Sequence, residues 1–241
     1  MSRVLTTGLF IFYLSLIPVW LMNATLLQVV VCYIMYWFLC DFIQSLFMHR
    51  WAAHNLWNPP LWWQKVCSVI GVIALIGTPI GWAAWHRTHH KYVDTDKDPH
   101  SPTFKKWWYI VFKHKWHKAE TKRAVDRLRN KWFVYIFNNE VKFVVIGNLI
   151  LFLVLPFQWF MTIWALPVAL MIFNTNFFVN FMLHKNVVAL DKPYMWPILF
   201  SETYHGSHHK HPKLNYTKFD PAGWIITKLG WIHEDYRQHS K

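Results

Sequence analysis

Between Leu5 and Leu39 the chain carries no charged residue, and between Phe143 and Leu183 it again carries none. Runs of this kind leave few folds open. In hydrocarbon every backbone N–H and C=O needs a partner within the protein, so an apolar segment of about 20 residues crosses a membrane as a helix. Each run can hold two short spans if it turns, the first near Asn23 and the second near Pro156 and Gln158. Apolar residues are 54% of the 241, with 17 Trp, which argues against an ordinary soluble domain. The expected fold is all-α and integral to the membrane. It has four transmembrane helices in two hairpins, at about 5–22, 25–48, 141–157 and 159–184, beneath a cytoplasmic helical cap. Residues of about 49–140 and 185–241 form the regions outside the bilayer, and 1–241 is read as one domain. The apolar run follows a single arginine and lacks a small-residue cleavage site, so no cleaved signal peptide is expected.

The net charge of +13 would suit a nucleic-acid partner, but its distribution does not. Basic residues concentrate between Arg87 and Lys142 and after Lys185, while both hairpin turns lack them. The positive-inside rule then puts both basic regions and both termini in the cytoplasm, in a multi-pass protein with no nucleic-acid partner. The segment from Leu61 to Trp85 is apolar enough to suggest a fifth span. However, Gly71, Gly77, Pro79 and Gly81 interrupt it, and Trp62, Trp63, Trp82 and Trp85 mark its ends. It is read as a helix lying in the interface or folded onto the cytoplasmic region. Cys32, Cys40 and Cys67 have no Cys-x-x-Cys spacing and read as buried apolar residues.

Nine of the 15 histidines stand at or just beyond the ends of apolar stretches: His49, His54, His86, His89, His90, His184, His205, His208 and His209. Charge counting places all nine on one side of the membrane. Imidazole is the commonest metal ligand, and nine exceed what one tetrahedral zinc uses, so the number points to two metals. In HRTHH, His86, His89 and His90 fall at i, i+3 and i+4 on one helical face, so three imidazoles can converge on one region. HGSHH repeats the spacing with His205, His208 and His209, and Asn180 and His184 lie one turn apart. His49 and His54 are separated by about 140° on a regular helix, so they converge only if the helix ends between them. His100, His114, His117, His211, His233 and His239 lack the spacing and are read as surface residues.

At these motifs the chain resembles the membrane-bound acyl-CoA (stearoyl-type, delta-9) fatty acid desaturases. HRWAAH resembles the family's first histidine box, and WHRTHHKYVDTDKDPHSP its second box with the acidic turn that follows. NFMLH is similar to the Asn-x3-His near the end of the last span, and ETYHGSHHKHP to the third box. The resemblance runs from about Leu5 to Trp231. It implies a di-iron centre held by the nine histidines, with Asn180 reaching one of the two iron ions through a water. It also implies O2 as co-substrate and a cis double bond inserted into a saturated acyl chain. Asp94, Asp96, Asp98, Glu202 and Tyr204 are candidates to support the ligating histidines. Tyr33 and Trp37 are candidates to line the acyl tunnel, with packing against lipid or other helices as the alternative.

Desaturation draws two electrons from outside, and no dinucleotide, iron–sulfur or haem signature is present. A separate donor is therefore expected, of cytochrome or ferredoxin type with its reductase. The other partners are membrane lipid and a long-chain acyl-CoA or another acyl carrier, including a lipid ester. The basic residues Lys105, Lys106, Lys113, Lys115, Lys118, Lys122, Arg123, Arg127 and Arg129 suit an acidic partner, a phosphorylated carrier or lipid headgroups equally. Two alternatives stay open: a membrane di-iron hydroxylase, and a histidine-rich metal transporter. For a transporter the polar candidates at bilayer depth are Gln28, Asp41, Gln44, Asn148, Asn174 and Asn176.

Overall fold

The computed structural model describes residues 2–113, 120–185 and 188–233, and they are mostly helical. Along the chain run α1 (Val4–Leu21), α2 (Leu26–Ala53), α3 (Leu61–Ile73), α4 (Pro79–Tyr92), α5 (Trp107–Lys113), α6 (Lys131–Asn138), α7 (Glu140–Val154), α8 (Phe157–Met182), α9 (His205–Lys210) and α10 (Pro221–Lys228), with shorter helical turns between them. The first hairpin turns between α1 and α2, where Thr25 begins α2 with a capping box. Its hydroxyl accepts from Gln28 N (3.3 Å) and Gln28 Oε1 accepts from Thr25 N (2.9 Å). The second turn falls at Leu155 and Pro156, since Pro156 supplies no N–H to continue α7.

Three helices, α1, α2 and α8, are long and apolar enough to cross a membrane. The expected span at 141–157 is where the structure departs from four straight helices. α7 covers 15 residues, about 22 Å against a hydrocarbon core of about 30 Å. It reaches span length only together with α6, and the two are bent by 74°. The break falls at Asn139, whose backbone leaves the helical region.

The ambiguous segment between Leu61 and Trp85 is two elements rather than one span. α3 has 13 residues and exposes Leu61, Trp62 and Val66. The chain then turns through Leu75 and Gly77, both at positive φ, before Thr78 caps α4 (Gly81 N to Thr78 Oγ1, 3.0 Å). One buried amide ties the membrane-side helices together. Asn148 on α7 accepts from the Tyr13 hydroxyl (2.6 Å) and Trp164 Nε1 (2.8 Å), and its Nδ2 donates to Ile73 O (3.0 Å). The result is a packed floor on which the end of α2, α4 and α9 meet.

Candidate metal centre

His49 and His54 come together by a route that regular helical spacing does not provide. From Leu39 to Ala53, α2 winds as a π-helix. Its bonds close from i to i+5, so residues five apart lie over one another. His54 N bonds His49 O (3.2 Å), and the two rings stand 5.1 Å apart. Wide winding, not a helix end between the two residues, brings them onto one face, and the helix ends at His54 itself.

The last carbonyls of this helix are buried, and two arginines satisfy them. Arg87 donates to Ala53 O (2.7 Å) and Ala52 O (3.1 Å), and Arg127 donates to Ala52 O (3.0 Å) and Trp51 O (2.7 Å). Arg127 also lies 4.1 Å over the Trp51 ring and bonds Asn55. It is buried, so the sequence-based assignment of Arg127 to a basic surface is corrected. Burial pulls its pKa down to about 10, which leaves it charged at neutral pH. Asp126 grips Arg87 with both oxygens (2.7 and 2.9 Å). Lys115 and Lys118, like His114, His117 and His239, lie outside the described residues.

The three histidines of each five-residue motif do not converge on one region; they divide. The i,i+4 pair His86 and His90 joins His49, His54 and His208, while His89 joins His184, His205 and His209. In the last motif His205 and His209 form the i,i+4 pair of the second group and His208 crosses to the first. On one helical face, residue i+4 stands about 40° to one flank of residue i and residue i+3 about 60° to the other, so two neighbouring histidines can face different groups. α4 and α9 thus each serve both groups. Gly206 permits this approach, because a Cβ there would stand 2.6 Å from Ala189 O. Ala189 belongs to β2 (Val188–Ala189), which pairs antiparallel with β1 (His184–Lys185), opposite His184.

Within each group the Nε2 atoms face one another. In the first, His49–His208, His54–His86 and His90–His208 are each 2.9 Å apart and His86–His90 3.0 Å. In the second, His184–His205 is 2.8 Å, His205–His209 3.1 Å and His89–His209 3.2 Å. Mutual hydrogen bonding cannot satisfy these contacts, since a neutral ring has one proton or one lone pair at that nitrogen, while His86, His90, His208, His205 and His209 each face two neighbours there. Two nitrogens bound side by side to one ion at about 2.1 Å stand about 3.0 Å apart. The donor set therefore fits two ions. Burial, reinforced by the other rings, pushes the pKa of His54, His86, His205 and His208 well below the ordinary histidine value and that of His90 to about 2. Neutral rings with lone pairs are the form that binds metal.

Three carboxylates stand behind the rings. Glu202 Oε1 lies 2.9 Å from His49 Nδ1, Asp94 Oδ2 3.1 Å from His184 Nδ1, and Asp98 2.9 and 3.0 Å from His89 Nδ1. Each accepts a hydrogen bond from Nδ1–H, which keeps that proton on Nδ1 and leaves the Nε2 lone pair free for a metal. Burial opposes charge on Asp98, but His89 and two backbone N–H groups hold it below the usual carboxylate range. Asn180 is buried, and its amide nitrogen has no partner among the described residues.

Other placements correct the sequence reading. Asp96 is exposed, because the turn aims Asp94 and Asp98 inward and Asp96 outward. The Tyr204 ring stacks on Tyr216 (4.1 Å), and what it offers the site is its carbonyl, which accepts from His208 N (2.8 Å). Tyr33 is exposed on α2 with its hydroxyl on Pro197 O (2.8 Å), and Trp37 meets Phe42 edge-on (5.3 Å). A small cavity is lined instead by Gln44, Ile76, Trp82, Trp85, Met171, Ile172, Thr175 and Asn176, and a separate one is lined by His49, His205 and His208 with Glu202 and Tyr204. Trp82 in the wall of the first lies parallel to His86, 6.3 Å away. His100 is buried rather than superficial, its ring 3.9 Å from His89 and 4.5 Å from Trp85. The prolines on either side of it in DPHSP were the available signal of a fixed turn. His211 and His233 are exposed.

The sequence pattern of the fatty acid desaturase family matches residues 18–230. The sn-1 stearoyl-lipid 9-desaturase of Synechocystis sp. is 28% identical over 202 residues, 78% of this chain and 62% of that protein. Delta-9 acyl-lipid desaturase 2 of Arabidopsis thaliana is 26% identical over 175 residues, 67% of this chain and 57% of its own length. The acyl-CoA C20 Delta5-desaturase of Anemone leveillei is 26% identical over 214 residues, 83% of this chain and 68% of the relative. The chain thus spans about three fifths of the first two relatives.

Proposed function

The chain belongs to the fatty acid desaturase family, and from that premise we propose that it is a membrane-bound di-iron enzyme that inserts a cis double bond into a saturated acyl chain. The observation that carries the reading is the division of nine histidines into groups of five and four, with Nε2 atoms 2.8–3.2 Å from a neighbour. His49, His54, His86, His90 and His208 would hold one iron, and His89, His184, His205 and His209 the other, with Asn180 at the second through a water. When bound, the irons supply the redox chemistry with O2 that side chains lack.

The residues of the chain do the rest. Glu202, Asp94 and Asp98 orient the imidazoles. Ile76, Trp82, Trp85, Met171 and Ile172 line one small cavity together and would be the apolar wall that keeps water from an acyl chain laid against it. The Thr175 hydroxyl donates to Gln44 Oε1 (2.8 Å), so these two polar groups are engaged with each other. Overall, two hydrogens leave adjacent carbons, and O2 with two electrons and two protons becomes two waters. The electrons come from a separate donor of cytochrome or ferredoxin type. By the distribution of basic residues, the histidines and both termini are cytoplasmic. Similarity to the two delta-9 relatives favours the delta-9 position, with CoA or a lipid ester as carrier.

The test is expression in a host without its own desaturase, with a competent electron donor, followed by lipid mass spectrometry. A new monounsaturated acid is expected, its bond position and carrier read from the same spectra. Hydroxylated products would replace this reading with the hydroxylase. A purified protein with a single zinc would end the di-iron mechanism.

A further inference from the structure

Asp41 lies inside α2 with no exposed surface and, among the described residues, no ion-pair partner. An ionisable side chain within a span is expensive and marks function more often than stability. One of its oxygens, Oδ1, accepts from Ser201 N (3.1 Å) and from the Ser201 hydroxyl. The other, Oδ2, is buried without a partner among the described residues, which costs rather than adds stability.

The turn that Asp41 holds is strained. Phe200 has φ 49° and ψ −122°, a conformation side chains rarely adopt and one that persists only when its surroundings force it. Side chains of the spans do so. Tyr33 and Tyr36 donate to Pro197 O and Ile198 O (2.8 and 3.1 Å), and Asn174 Nδ2 donates to Ile198 O (2.9 Å). Arg50 reaches Ser201 O (3.2 Å). The residue that leaves this turn is Glu202, whose carboxylate meets His49 Nδ1.

We propose that Asp41 is a positioning residue: by fixing Ser201 it aims Glu202 at His49, and so sets the orientation and free lone pair of one ring in the five-histidine group. The proposal rests on the reading of the histidines as metal ligands. It makes a membrane-buried carboxylate, two turns before His49 on the same helix, part of the support of that group. The four-histidine group has its own carboxylates, Asp94 and Asp98, and does not depend on it.

Titration of metal-free full-length protein with Co2+, followed by visible absorption, tests this. Variants H208A and H205A assign each absorption step to its group. Asp41→Leu should weaken Co2+ binding about 10–100-fold at the five-histidine group alone, the range for loss of a carboxylate behind a ligating histidine. Glu202→Gln should do the same, and the double variant should be no weaker than the weaker single, because both break one chain of contacts. Asp41→Asn, which keeps an acceptor for Ser201, should stay near wild type. Should D41L not fold, Ser201→Ala decides, with a smaller loss expected at the same group. Wild-type binding in D41L or S201A, equal weakening of both groups, or losses that multiply with E202Q would overturn the proposal. A wild-type protein that takes up no Co2+ would instead sink the ligand reading itself.

Discussion

Asp98→Asn separates the two carboxylates of the acidic turn that the sequence treats alike. Asp98 is fully buried and accepts four contacts: His89 Nδ1 on both oxygens, His100 N on Oδ1 (3.0 Å) and Asp94 N on Oδ2 (2.9 Å). An amide turns one acceptor into a donor facing one of those backbone N–H groups. A buried donor left unsatisfied costs about 1–3 kcal/mol. The bond to His89 loses its charge assistance, about 1 kcal/mol more. The metal-free protein should therefore lose about 2–4 kcal/mol, which at about 2–4 °C per kcal/mol is a fall in Tm near 10 °C. His89 also loses the carboxylate that fixes its tautomer, so Co2+ affinity at the four-histidine group should drop about 10–100-fold, or about 1.4–2.7 kcal/mol. Asp96→Asn, on the exposed side of the turn, should change Tm and affinity negligibly. Thermal unfolding and Co2+ titration of both variants check this. A D98N protein binding within twofold of wild type, or a D96N protein with the same losses, would refute the assignment.

Three further outcomes follow from the same geometry. His208→Ala and His89→Ala should each remove close to one iron per chain, from different groups, and abolish oxidation while the protein stays membrane-inserted; retained activity by either removes that residue from the ligand set. Arg127→Met loses two charge-assisted bonds to the end of α2 and regains part of the guanidinium's desolvation, a net cost of about 2 kcal/mol. A Tm drop of about 4–8 °C is expected, against almost none for the exposed Arg129→Met, and equal Tm values would contradict the capping role. In chelated protein, burial holds His54, His86, His205 and His208 well below the unfolded value of about 6.5. The unfolded chain then binds more protons as pH falls through about 6.5, so stability is full above that value and declines below it. A Tm of the chelated protein constant from pH 8 to pH 5 would count against neutral, buried rings.

By itself the sequence carried the apolar runs that suit a membrane and the histidines that the fold gathers into two groups. Charge-free runs with central turn signals make helices long and apolar enough to cross a membrane, and His-x-x-His-His on a helix presents imidazoles along one face. Those are consequences of local periodicity, which a chain carries in its own spacing. What the tertiary structure decided is everything that depends on two segments meeting. Spacing alone makes His86, His89 and His90 one cluster; the approach of α4 to α9 makes them a pair and a crossing third, because each ring turns to whichever partner faces it. The π-winding of α2 that unites His49 and His54 has no residue signature. Nor does anything in DTDKDP tell Asp96 from Asp98, since which carboxylate points inward depends on where His89 lies. Arg127 read as surface and Asp41 as one of a few polar candidates at bilayer depth for the same reason: their partners, the carbonyls of α2 and the Ser201 turn, are 75 and 160 residues away in the chain.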